Sequence, residues 1–153
     1  MTMSVIAPVA GRAVALKDVP DPVFSQGMVG YGAAIDPPRE VITAVAPVSG
    51  RLLKLMPHAF IVLTTDNVGV LVHLGLDTVA LDGEGFTTHL RQGQQVRAGQ
   101  PVITIDVPAI VAKGLDPIVP VVVMDEREPA NISVTAALDA PIAAGDELFV
   151  ANR

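Results

Sequence analysis

The chain has 153 residues, enough for one domain with a proper core and too few for two independent ones. Half of it is apolar but only 3% is aromatic, and 13 glycines and 13 prolines are scattered along it, which disfavours long helices and suits short strands and turns built on Val, Ile, Leu and Ala. A formal charge of −6 with only 10 Lys and Arg argues against a nucleic-acid or anionic-membrane surface, and the absence of cysteine excludes disulfides, thiolate metal sites and a cysteine nucleophile.

In chain order, the first segment, "MTMSVIAPVAGRAVALKD", lacks the basic start of a signal peptide and is interrupted by Pro8. No uninterrupted apolar run approaches the roughly 20 residues of a membrane span, so a cytoplasmic protein without direct membrane insertion is expected. Within this segment "APVAGRAVAL" (Ala7–Leu16) recurs 39 residues later as "APVSGRLLKL" (Ala46–Leu55). Strands are expected at Ile42–Val45, His58–Thr64, Val68–His73, Val102–Asp106, Val119–Met124 and Ile132–Thr135, with turn residues between nearly all of them. Helix is scarce: about two turns at Pro108–Gly114 and one at Thr87–Gly93. A weaker echo pairs "VRAGQPVITI" (Val96–Ile105) with "IAAGDELFVA" (Ile142–Ala151), a glycine turn leading into an apolar run each time. Together these predict a single all-β domain over residues 1–153, an antiparallel β-sandwich built from related hairpins with at most short helical turns.

Chemistry concentrates in "HAFIVLTTDNVGVLVHLGLDTV". Two of the chain's three histidines, His58 and His73, end two apolar strands separated by the turn-forming "TDN". A hairpin folded about the Thr65–Asp66 bond sets His58 opposite His73 on one face, whereas a register shift of one residue sends them to opposite faces. Paired imidazoles suit two tasks: holding a divalent metal, or handling a phosphoryl group with one ring as nucleophile and the other as donor to its oxygens. Asp77, four residues beyond His73, adds a carboxylate.

Two alternatives compete for this part of the chain. A lysostaphin-like zinc metallopeptidase-related domain would use His58, His73 and Asp77, and "THLRQGQQVRAGQ" resembles its second metal motif. That motif requires a histidine where this chain has Thr87. A biotinyl or lipoyl carrier domain would need a lysine at a hairpin tip, and Lys54 falls on a strand instead.

The stretch "PHAF…GVLVHLGLDTVALDGEGF…GQQVRAGQPV", with "VPDPVF…MVGYGAAIDP" upstream and "AVAPVSG" between, closely resembles the glucose-type (type 1) enzyme IIA family of the phosphoenolpyruvate-dependent sugar phosphotransferase system. The resemblance runs from about Val5 to Met124 with its motifs in order. It implies a β-sandwich phosphotransferase component in which His73 accepts a phosphoryl group through Nε2 from the phosphohistidine of HPr and passes it to a cysteine on the IIB domain of a sugar permease. His58 falls on the family's earlier site histidine. Asp21, Val23, Phe24, Met28, Val29, Asp77 and Val79 fall on the rim that docks HPr. No cofactor and no metal are implied. Met56-Pro57 precedes His58 where many relatives carry a threonine two residues before it, and no counterpart of the amphipathic amino-terminal tail of some relatives is expected.

Overall fold

The structure is a computed structural model and describes residues 2–152. Fourteen strands occur among them: β1 (Thr2–Ile6), β2 (Gly11–Ala15), β3 (Gly30–Asp36), β4 (Val41–Val45), β5 (Gly50–Met56), β6 (Ala59–Leu63), β7 (Gly69–His73), β8 (Phe86–Thr88), β9 (Gln95–Val96), β10 (Pro101–Asp106), β11 (Val119–Met124), β12 (Ile132–Val134), β13 (Pro141–Ile142) and β14 (Glu147–Asn152). Helix is confined to α1 (Pro22–Ser25), α2 (Val107–Ala112) and a few 3-10 turns. An eight-stranded sheet, β13-β2-β3-β11-β7-β6-β5-β9, packs against two three-stranded sheets, β1-β14-β12 and β4-β10-β8, and every pairing is antiparallel. This is the sandwich read from the sequence.

The internal repeat accounts for the strand order. Ile6 donates its N–H to the Pro47 carbonyl (3.0 Å), and Val45, its repeat mate, donates to the Pro8 carbonyl (2.8 Å). Gly145 N–H bonds the Ala7 carbonyl as Gly99 N–H bonds the Ala46 carbonyl, so the second echo docks on the first in both halves. Each half then adds a short edge strand, β13 on β2 and β9 on β5, which leaves the large sheet palindromic about the β11–β7 pair. The repeat glycines, Gly11 and Gly50, are needed for close approach, since a Cβ at either would collide with a carbonyl, that of Asp36 or of Leu63.

Strand alternation sorts the side chains of β6 and β7 between two apolar clusters. Phe60, Val62, Val70 and Val72 point into the main core with Val121, Ile103 and Phe149. Ala59, Leu71 and Val122 point to the outer face, where Leu16, Val19, Phe24 and Leu76 cover them. His73 continues the outward series of Leu71 at the end of β7, and that places its ring under the cover of α1.

Three local expectations are corrected. The β6–β7 hairpin has the register Ala59↔His73 and Phe60↔Val72, one residue away from the pairing that sets His58 against His73. Its loop holds three residues rather than two, because Asn67 takes a left-handed conformation (φ 63°) and Thr64 and Val68 close the turn. Thr87–Gly93 forms no helical turn; Thr87 and Thr88 extend β8 against Thr104 and Ile103. The chain also has strands not read from the sequence, β1 and β3 among them.

Candidate functional site

The two imidazoles meet despite the register. Met56 pairs with Ala59 across β5 and β6, so Pro57 and His58 form the intervening turn. Proline presets the first turn position, and His58 is thereby released from strand alternation, which would have sent its ring inward beside Phe60. Its ring instead lies 5.3 Å from that of His73, edge-on at 72°. The His58 carbonyl also accepts the N–H of Leu74 (2.8 Å), which fixes the turn to the residue after His73.

His73 is held on two further sides. The Phe24 ring lies 5.3 Å away at 57°. Nδ1 sits 2.6 Å from the Gly75 carbonyl, an oxygen that can only accept, so Nδ1 carries the proton and Nε2 keeps its lone pair. The backbone around that carbonyl is tightly tied: Gly75 N–H donates to the Ile118 carbonyl (3.1 Å), Leu76 N–H to the Asp116 carbonyl (2.8 Å), and the Thr78 hydroxyl to the Leu74 carbonyl (2.8 Å). Sequence reasoning found the histidines but missed this cradle. The only sign of it was the "GLDT" that follows His73.

Burial pushes the pKa of His73 below its ordinary value, and the Gly75 carbonyl and the charges of Asp21 and Asp77 pull partly back. Burial, then the neighbouring His73, lowers that of His58. Both rings are therefore biased toward the neutral form, which for His73 is the nucleophilic one.

The other expected residues stand in different settings. Asp21 caps α1, accepting the Val23 N–H at 3.0 Å. Val23, Met28 and Val79 are 41%, 59% and 66% exposed, large apolar side chains open to a partner. Val29 is partly buried and Asp77 exposed, with its backbone left-handed (φ 60°). Phe24 is only 5% exposed and serves the site from below, as packing for His73. The third histidine is elsewhere: His89 Nε2 bonds the Thr104 hydroxyl at 2.6 Å on the β4-β10-β8 sheet.

The zinc-peptidase alternative loses its ligand set here. Among the described residues no group of three or more His, Cys, Asp or Glu is placed to hold a metal ion, so Asp77 does not complete a site with His58 and His73. What remains is a ring nitrogen with its lone pair free and the proton on the other side of the ring, a second imidazole beside it, and the carboxylates of Asp21 and Asp77 near enough to act on the ring.

Residues 3–128 match the family described as phosphoenolpyruvate-dependent sugar phosphotransferase system, EIIA 1. The chain is 39% identical over 138 residues to the PTS system glucose-specific EIIA component of Oceanobacillus iheyensis, covering 87% of this chain and 82% of that protein. It is 44% identical over 121 residues to the PTS system mannose-specific EIIBCA component of Corynebacterium glutamicum, a match that spans 79% of this chain and 18% of that longer protein. The solved structure of glucose permease IIA from Mycoplasma capricolum superposes with a TM-score of 0.86 at 33% identity, covering 98% of this chain and 96% of that one.

Proposed function

The chain belongs to the EIIA type 1 family, phosphotransferase components of the phosphoenolpyruvate-dependent sugar system, and from that premise we propose that His73 is its phosphoryl carrier, charged by phospho-HPr and discharged to a cysteine of a IIB domain. The observation that carries this reading is the 2.6 Å contact of His73 Nδ1 with the Gly75 carbonyl, which leaves Nε2 as the free nucleophile.

In the first step the Nε2 lone pair of His73 forms a bond to phosphorus as the P–N bond of the HPr phosphohistidine breaks, its electron pair returning to the donor ring. In the second, the thiolate of the IIB cysteine forms an S–P bond while the Nε2–P bond breaks, its pair returning to His73. Such transfers ask mainly for positioning and for stabilisation of charge on the three phosphoryl oxygens. His58, neutral and 5.3 Å from His73 centre to centre, donates a ring N–H to those oxygens. Fixing Nδ1–H on the Gly75 carbonyl means that no tautomer change is required before attack.

Docking falls to the exposed Val23, Met28 and Val79 with Asp21 and Asp77 at their edge, an apolar patch with an acidic fringe that complements a basic partner. Relatives named EIIBCA and EIICBA support IIB as the acceptor, since in them the matching segment belongs to a chain named for B and C components. Phospho-HPr as the donor supports a cytoplasmic site for the reaction.

The test is phosphorylation with phosphoenolpyruvate, enzyme I and HPr supplied together or singly omitted. Labelling that needs all three, is labile to acid and stable to base, and vanishes in His73→Gln is the expected result. Base-labile phosphate, or undiminished labelling of His73→Gln, contradicts it.

A further inference from the structure

Thr78 is one of two polar or charged residues buried among the described residues, and it has no accessible surface. A buried hydroxyl is retained where it serves a hydrogen bond, and here the bond is to the Leu74 carbonyl at 2.8 Å. That carbonyl and the Gly75 N–H are two ends of one peptide plane. The Ile118 carbonyl holds the N–H end at 3.1 Å, and the Thr78 hydroxyl holds the C=O end. The plane is thus clamped from both sides.

The clamp matters because the residue it precedes is glycine. Gly75 sits at φ +85°, and glycine adopts positive and negative φ almost equally well, so nothing in Gly75 itself prevents its flanking peptide planes from turning. Turning them swings the Gly75 carbonyl, the oxygen that holds His73 Nδ1–H. The Thr78 methyl closes the same route sterically: it lies where a Cβ on Gly75 would come within 2.6 Å of it. One side chain therefore supplies both a hydrogen bond to the plane and a wall beside the glycine. The Leu74 N–H, bonded to the His58 carbonyl at 2.8 Å, ties the second histidine to the same short segment.

We propose that Thr78 is a positioning residue for phosphoryl transfer, which clamps the Leu74–Gly75 peptide and thereby keeps the Gly75 carbonyl on Nδ1 of His73 and the Nε2 lone pair free for attack. The inference rests on His73 being the phosphoryl carrier. It assigns to Thr78 no contact with the phosphoryl group.

The experiment compares wild type, Thr78→Val and Thr78→Ser by two readouts. The His73 tautomer is read from two-bond ring couplings in ¹⁵N-labelled protein, and the rate of phosphorylation is measured with phospho-HPr. Wild type is expected to carry the proton on Nδ1. Thr78→Val, equal in shape but without the donor, is expected to show a mixture with the Nε2–H tautomer and a rate lower by about ten- to a hundredfold, the scale of a small misplacement of a reacting group. Thr78→Ser keeps the hydroxyl and is expected to recover the wild-type tautomer and a rate within about threefold. Thr78→Val with a folded amide spectrum and an unchanged tautomer or an unchanged rate overturns the proposal, as does a wild-type ring protonated on Nε2. Should the valine variant not fold, Thr78→Cys, whose thiol is a weak donor, is measured in its place against the same expectations and the same refutation. Labelling that persists in His73→Gln would instead remove the carrier assignment, and the tautomer readout keeps that failure separate from this one.

Discussion

Replacing Gly75 by alanine tests the cradle of His73 with a cost that can be worked from its surroundings. At φ +85° an L-residue carries a conformational penalty of about 1–2 kcal/mol. The new methyl would lie 2.6 Å from Thr78 Cγ2 and 3.1 Å from the Asp116 carbonyl oxygen. Neither neighbour yields easily, because Thr78 is fully buried and the Asp116 oxygen already accepts the Leu76 N–H. Overpacking of this kind adds about 1–3 kcal/mol. The expected loss is therefore about 2–5 kcal/mol in all, read as a lower urea midpoint at unchanged slope. Phosphorylation by phospho-HPr, measured where the variant is still folded, is expected to fall by at least about tenfold as the Gly75 carbonyl leaves Nδ1. Gly114 provides the control: it has φ +79° with no atom within 4 Å of an added Cβ, so Gly114→Ala carries only the conformational penalty of about 1–2 kcal/mol and leaves the rate unchanged. A Gly75→Ala protein within about 0.5 kcal/mol of wild type, phosphorylated at the wild-type rate, refutes the reasoning.

His58→Gln is expected to accept phosphate from HPr but to pass it on about ten- to a hundredfold more slowly, because its amide offers a donor that is placed differently from the ring N–H and cannot ionise; quenched-flow transfer to a purified IIB domain measures it, and loss of all labelling in a folded variant would exchange the roles of the two rings. Because both histidines are lowered from about 6.5, the unfolded chain takes up protons that the folded one refuses. Stability from the neutral rings is thus complete above about pH 6.5 and is lost as pH falls through the lowered values, so the melting temperature of wild type should drop across that window more steeply than that of a double glutamine variant. Met28→Asp and Val79→Asp remove exposed apolar surface and are expected to change stability by less than about 0.5 kcal/mol while raising the phospho-HPr concentration for half-maximal rate about tenfold; unchanged kinetics in both would move the docking surface elsewhere.

The fold was legible where side chains alternate or repeat. β6, β7, β10 and β11 are dense in β-branched and aliphatic residues, and the repeated "APV" segments mark the two halves that bond each other reciprocally. It was illegible where backbone replaces side chain. β3 reads "GYGAAID", because Gly30 and Gly32 lie where carbonyls of Val123 and Val121 press against it, and small residues erase the strand pattern. Of the site, the two histidines were plain, but their meeting was inferred from the wrong register. One left-handed residue, Asn67, shifts the hairpin by one position, and a Pro57–His58 turn restores the contact that the shift would have removed. The Gly75 carbonyl had no sign beyond the "GLDT" that begins with it, since a backbone oxygen leaves no letter in a sequence. Phe24 could be read only as apolar; whether such a residue faces a partner or a ring beneath the surface is decided by packing.

The most direct test of His73 as a carrier through Nε2 is the position of the phosphorus on the ring. Protein labelled with ¹⁵N in histidine and phosphorylated through enzyme I and HPr should show a one-bond phosphorus–nitrogen coupling at Nε2 of His73, with Nδ1 still protonated against the Gly75 carbonyl. Coupling at Nδ1 of His73, or at either nitrogen of His58, would contradict the account.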